Sequence, residues 1–292
     1  MERIIRYQIN QTTQPQTIKD FLKSRGYSSQ SLIALKKFPG QIALNEEPVF
    51  INQMLHPGDC LCIHIKEEAS SEKIQPVNLP LSIVYEDDDF MVINKPAGMP
   101  THPSQNNYDN TLANALARYF KEKEIPFVFR SINRLDKDTS GLCVIAKHSI
   151  SAGILSDGGI TVKEYLGIVK GNVPEKQGTI DAPIARKEGS VIEREVNFKN
   201  GERAITHYEV IDQKNGYSLL LLRLETGRTH QIRVHLKYLG YPLIGDYLYN
   251  PDFSMISRHA LHCTRLCLTH PITKEKMEFT APLPQDMSSV LS

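Results

Sequence analysis

No run of the chain approaches the roughly 20 consecutive apolar residues of a membrane span, and the opening MERIIRYQIN lacks the apolar core of an export signal. A membrane-embedded or exported protein is not expected, and the reading is cytoplasmic. Cysteine is sparse: Cys60, Cys62, Cys143, Cys263 and Cys267 are odd in number and sit in apolar, alternating runs, with no C-x2-C pair of the zinc-binding kind. Buried thiols in a reducing compartment are expected, not disulfides. Also missing are a Gly-rich nucleotide-binding loop, an HExxH or comparable ligand cluster, an internal repeat and a low-complexity tract. No metal and no cofactor are expected.

What is there is an ordinary globular composition. The 292 residues are 40% hydrophobic and 23% charged, enough for one large core plus a small extra domain. The net charge of +1 hides segregation. Residues 11 to 44 carry Lys19, Lys23, Arg25, Lys36 and Lys37 against Asp20 alone, and residues 223 to 237 carry Arg223, Arg228, Arg233 and Lys237 against Glu225 alone. Clustered cations on a neutral protein point to a polyanion held locally, although each patch taken singly also fits a plain solvated face.

Residues 17 to 37 read as two short helices. Ile18, Phe21 and Leu22 share a face of the first, and Ser29 or Ser31 caps the second, which carries Leu32 and Leu35. Short strands follow at GQIALNEEPVF and DCLCIHI. The polar KEEASSEKIQPVNLP has two prolines and no periodicity, and reads as a flexible linker. This divides the chain into a domain of residues 1–66, a linker 67–80 and a larger domain 81–292. In the larger domain LSIVYE and FMVINK flank EDDD as a hairpin, and TLANALARYFKEKE has helical spacing. Strand-like runs follow at SINRL, LCVIA, EYLGIVKG, AITHYEVI, YSLLLLRLE, HALHCTRLCL and KMEFTA. Many strands, few helices and no βα alternation predict an α+β fold around a mixed, mainly antiparallel sheet.

The stretch SINRLDKDTSGLCVIAK, residues 131 to 147, sets turn residues between apolar runs. Asp136, Asp138, Ser140 and Gly141 match the first positions of a calcium loop, but the twelfth is Lys147 where a bidentate Glu is required, and the flanks are strand-like. Calcium is rejected. A plain strand-loop-strand corner remains open. So does a chemical role, because a carboxylate at a strand end beside a glycine-containing loop is rigid yet reachable.

The run NRLDKDTSGL resembles the first motif of the RluA-type pseudouridine synthases, H-R-L-D-x-x-T-S-G-L. VYEDDDFMVINKPAGMPTHPS is similar to that family's hairpin into N-K-P-A-G, and KEYLGIVKG to its K-x-Y-x-A-x-V-x-G segment. LETGRTHQIRVHLKYLGYPLIGD resembles its third motif, and RHALHCTRLCLTHP with APLP its last strands. Residues 81 to 284 are covered in the family's order. The first domain resembles an S4 domain, a small α+β RNA-binding module. In two places the sequence departs from the pattern: Asn133 stands where relatives carry His, and Gly167 where they carry Ala.

The resemblance implies isomerisation of uridine in structured RNA, chiefly large-subunit ribosomal RNA with transfer RNA as an alternative, by a monomer without a membrane association. It implies Asp136 as the catalytic carboxylate, Arg233 as its ion-pair partner and Tyr165 as the active-site tyrosine, with the uridine flipped out of its stack. Arg134 is the residue expected to fill the vacated space. Arg228, His230, Lys237 and Lys95 are expected to hold phosphates, as are Lys36 and Lys37 in the S4-like domain. Ile232, Leu236 and Leu239 form the buried stripe of a helix, with Thr229, Arg233 and Lys237 an adjacent polar row. Two other function classes compete: a non-catalytic RNA-binding assembly factor, and a metal-dependent hydrolase built on Asp136, Asp138, His230 and His235.

Overall fold

The computed structural model describes residues 1–36, 40–71 and 73–292. The first 66 residues build a four-stranded sheet in the order Glu2–Gln8, Cys60–Lys66, Ile42–Leu44, Glu47–Pro48, with the helices Ile18–Ser24 and Ser29–Leu35 against it. The second helix is capped by Ser28, whose side chain accepts from the Ser31 amide; Ser29 is already helical, one residue from the expected position. The opening strand was not foreseen, because the adjacent Ile4 and Ile5 blur the two-residue alternation in ERIIRYQ.

The larger sheet has nine strands. Its path runs Gln177–Asp181, Ile205–Lys214, Tyr217–Leu224, Ile160–Lys170, Leu261–Thr269, Ser140–Ala146, Phe90–Lys95 and Ile83–Glu86, and Lys276–Thr280 pairs with Leu261–Thr269. The strands Ser140–Ala146 and Leu261–Thr269 pair in parallel; every other pairing among the described residues is antiparallel. At that junction Gly141 has φ +112°, and an added Cβ would stand 2.2 Å from the Cys263 carbonyl oxygen, so glycine alone permits the approach. Ser140–Ala146 is buried along its whole length, as a central strand covered on both faces requires. Gly167 also answers to packing: a Cβ there would meet Leu222 at 2.9 Å and Leu243 at 3.0 Å.

The helix Leu112–Glu122 starts in a capping box of Thr111 and Asn114. SINRL does not form a strand; it makes one bridge, Ser131 with Ile145, and then turns. Buried Asn133 accounts for the turn. Its amide donates to the Leu142 carbonyl (3.0 Å) and its oxygen accepts from the Val144 amide (2.8 Å), so the side chain replaces the ladder bonds a strand would have made.

The presumed linker is not free. Glu67 receives a double hydrogen bond from Arg130 (2.9 and 3.0 Å), Ser70 and Ser71 accept from the Phe127 and Phe129 amides, and the Asn114 amide binds the Gln75 carbonyl. The N-terminal unit is also seated on the larger sheet. Arg3 forks onto Asp89 at 3.0 and 3.1 Å, Asp89 takes a further contact from His148, and Ile150 and Ile154 join the N-terminal apolar core.

Candidate active site

The strand Ser140–Ala146 is preceded by a tight turn closed by the Thr139 amide donating to the Asp136 carbonyl at 3.1 Å. Asp136 therefore stands on this turn, not on a strand end. Its Oδ2 accepts from Arg233 Nη1 at 2.9 Å. The same guanidinium forks onto Asp246 through Nε and Nη2, both at 2.7 Å, and lies 5.4 and 5.1 Å from the ring centres of Tyr247 and Tyr249. Arg233 is 2% exposed, Asp246 fully buried, and Asp136 32% exposed. One cation thus neutralises a wholly buried carboxylate and braces another that opens to solvent.

Arg233 comes from the helix Gln231–Tyr238, which starts where it does for a local reason. Gln231 accepts from the Thr226 hydroxyl (2.8 Å) and the Arg228 amide (2.9 Å), folding the preceding loop against the first helical turn. His230 takes the left-handed conformation, φ 58°, and leaves Thr229 outside the helix that carries Arg233 and Lys237. Ile232 and Leu236 are buried as the periodicity predicts, while Leu239 is half-buried.

Burial pushes the Asp136 carboxyl up, but the charges of His230, Arg233 and His259 outweigh it and leave the group below the ordinary carboxylate range. Burial depresses both imidazoles, His259 to about 3. At neutral pH burial favours the uncharged form of both rings, so Arg233, the neighbour that is always charged, is the cation that holds Asp136 ionised. Asp246 is likewise held low, against its burial, by Arg233.

Tyr165 lies in the strand Ile160–Lys170 beside a register shift between Glu164 and Tyr165, an irregularity that re-aims a side chain. Its ring lines one pocket with Arg134, Asp136, Thr139, Leu224, Arg228, His230 and Arg233. Burial pushes its phenol well above the usual value, so it stays protonated. A wider cleft continues past His102, Lys137 and Lys163.

The structure brings Asp136, Tyr165 and Arg233 together and sorts the rest. Arg134 is exposed on the pocket rim. Arg228 is also at the rim, paired with Glu202. His230 turns toward the pocket, its Nδ1 3.1 Å from the Tyr249 hydroxyl and its Nε2 3.8 Å from Asp136. Lys237 faces a separate cleft with Lys187 and Arg194. Lys95 is a correction: it is fully buried, and its ammonium donates to the carbonyls of Pro96 (2.9 Å), Met99 (2.7 Å) and Lys137 (3.1 Å). Burial lowers its pKa to about 8, and phosphate cannot reach it. Lys36 is exposed at the end of the helix Ser29–Leu35, and Lys37 lies outside the described residues. Asp246 was missed; the sequence signal was a second carboxylate, in LIGDYLY, just past the arginine helix. Among the described residues one trio, Asp87, Asp89 and His270, is close enough to hold a metal. Arg3, His148 and the Tyr85 hydroxyl already occupy its two aspartates.

A pocket with an arginine-braced aspartate and a buried phenol, rimmed by cations, suits a base flipped from RNA. Residues 89–238 match the family described as RNA pseudouridylate synthase. The chain belongs to that family. It is 39% identical over 278 residues to the uncharacterized RNA pseudouridine synthase YjbO of Bacillus subtilis, covering 94% of this chain and 98% of that protein. It is 40% identical over 268 residues to ribosomal large subunit pseudouridine synthase D of Zymomonas mobilis, covering 85% and 82%. Among solved structures, human RNA pseudouridylate synthase domain containing 1 superposes with TM-score 0.58 at 29% identity, over 70% of this chain and 83% of that one. This RNA pseudouridine synthase is an isomerase with an α+β fold and a mainly antiparallel sheet. In it the N1–C1′ bond of a uridine breaks, the uracil turns, C5 bonds to C1′, and the C5 proton leaves.

Proposed function

We propose that the enzyme acts on large-subunit ribosomal RNA, with Asp136 as the carboxylate that meets the sugar. The observation that carries this is the Arg233 bridge, which keeps a recessed carboxylate ionised in a pocket that opens into the wider cleft past His102, Lys137 and Lys163. Ionised Asp136 attacks the sugar as nucleophile or removes a proton from it as base. Tyr165, being protonated, stacks on the uracil and donates or relays a proton, but does not serve as a phenolate base. Arg134 braces the RNA at the rim, where its exposed guanidinium is free to enter the gap left by the flipped base. The ribosomal target is supported by relatives named ribosomal large subunit pseudouridine synthase D in Zymomonas mobilis and Haemophilus ducreyi, the latter 41% identical over 251 residues.

Residues 1–66 serve as an S4-like RNA-binding domain, with 67–80 as the connection and 81–292 as the catalytic domain; the enzyme works as a cytoplasmic monomer. The test is tritium release from RNA labelled at uridine C5, comparing wild type with Asp136→Asn on ribosomal and transfer RNA. Release from ribosomal RNA, abolished in Asp136→Asn while RNA binding persists, is the expected result. Tight binding without release from any RNA would support the assembly-factor reading instead.

A further inference from the structure

The turn that carries Asp136 is gripped residue by residue from behind. The Leu135 carbonyl accepts from the Thr101 hydroxyl (3.0 Å), the Lys137 carbonyl from Lys95 (3.1 Å) and the Asp138 carbonyl from Arg258 Nη1 (3.1 Å). The Thr139 hydroxyl lies 2.7 Å from His259 Nε2, and the Ser140 hydroxyl 2.9 Å from His262 Nδ1. Three of these contacts come from the short segment RHALH, residues 258 to 262, and hold three consecutive residues, Asp138 to Ser140, where the turn runs into the strand.

His259 is the informative member. It is 1% exposed, and its Nδ1 has no protein partner among the described residues. A neutral imidazole has one N–H to place. On Nδ1 it would be a buried donor without an acceptor; on Nε2 only a lone pair goes unmatched, which is the lesser cost. The second arrangement makes Nε2–H the donor and the Thr139 oxygen the acceptor. The hydroxyl proton of Thr139 is then left over, and Thr139 lines the pocket with Asp136, Tyr165 and Arg233.

We propose that His259 is a positioning residue which turns the Thr139 hydroxyl into the pocket, where it donates a hydrogen bond to an oxygen acceptor of the flipped nucleotide, a ribose hydroxyl or a uracil carbonyl. The proposal rests on the reading of this pocket as the catalytic one. The depressed pKa of His259 keeps its ring neutral across the working range, so a single N–H is available and its direction is fixed.

The experiment measures C5 tritium release and RNA binding for Thr139→Val, Thr139→Ser, His259→Leu, His259→Gln, the Thr139→Val/His259→Leu double variant and Asp136→Asn. Thr139→Val and His259→Leu should each lower kcat about 10- to 100-fold with KM changed less than about threefold, the scale of losing one aligned donor. Thr139→Ser restores the hydroxyl, and the amide N–H of His259→Gln restores its donor, so both should recover most of the rate. The double variant should be no slower than either single one, since both remove the same contact. Wild-type turnover in Thr139→Val, or losses that multiply in the double variant, would overturn the proposal. If His259→Leu does not fold, the Val and Ser pair at Thr139 decides. A dead Asp136→Asn beside an unaffected Thr139→Val removes this inference alone; an active Asp136→Asn removes the reading of the pocket itself.

Discussion

Arg233→Gln takes away the cation shared by Asp136 and Asp246. Opposite unit charges about 4 Å apart attract by about 4 kcal/mol at an effective dielectric of about 20, which at about 1.36 kcal/mol per pKa unit corresponds to about 3 units. Asp136 is 32% exposed and shares the guanidinium with Asp246, so solvent screening leaves less than that bare attraction, and the expected outcome is an upward move of its carboxyl once its burial is opposed less. The assay is the pH dependence of kcat/KM for tritium release between about pH 4.5 and 8. Wild type should stay flat toward acid, because Asp136 titrates below the ordinary carboxylate range; Arg233→Gln should show an acid limb inside the window. Arg233→Lys should keep the flat profile at lower kcat, since one ammonium cannot reproduce the fork onto Asp246 and the third bond to Asp136. The glutamine variant also leaves Asp246 buried and unpaired, costing about 3 to 5 kcal/mol of stability, so rates are to be read well below its melting temperature. The sign of the stability effect is fixed: both carboxyls have depressed folded pKa values, so their stabilisation is present above the unfolded pKa and lost as pH falls through the folded one. A folded Arg233→Gln enzyme with the wild-type pH profile would refute the assignment of Arg233 as the group that keeps Asp136 ionised.

Gly141→Ala should destabilise the fold by more than about 3 kcal/mol, because the new Cβ would stand 2.2 Å from the Cys263 oxygen in a strained backbone conformation; a melting temperature near wild type in thermal unfolding would contradict that geometry. Arg3→Ala should leave kcat on a short RNA unchanged while exposing residues 67 to 80 to proteolysis, since it removes the fork onto Asp89; unaltered cleavage kinetics would show that the two units stay seated without it.

The parts legible in the sequence were those written in short-range pattern. The hairpin Ile83–Glu86 with Phe90–Lys95, the helix Leu112–Glu122 and the long sheet strands announce themselves by alternation or helical spacing. The Asp136 and Arg233 pairing, 97 positions apart, was reached through motif resemblance, because periodicity carries no information on which distant residues meet. Lys95 was misplaced for the complementary reason: a lysine beside a Pro-Gly corner looks like surface charge, and only the assembled core shows three carbonyls converging on it. The strands Gln177–Asp181, Ile184–Arg186 and Arg194–Val196 are short and mostly polar, with too few apolar positions to register a period. The supposedly flexible linker is polar because its serines and Glu67 bind the body of the protein, a use of polarity that composition cannot tell from solvation.

The parallel junction between Ser140–Ala146 and Leu261–Thr269 has a consequence for biosynthesis. A chain growing from the ribosome at about 5 to 20 residues per second makes the aspartate turn early, yet Arg258, His259 and His262 are translated some 120 positions later. Until they emerge, the turn lacks its grip and the strand its parallel neighbour. The turn can therefore take its held form only after residues 258 to 262 have been made, a dependence set by the sequence separation of the contacts that grip it.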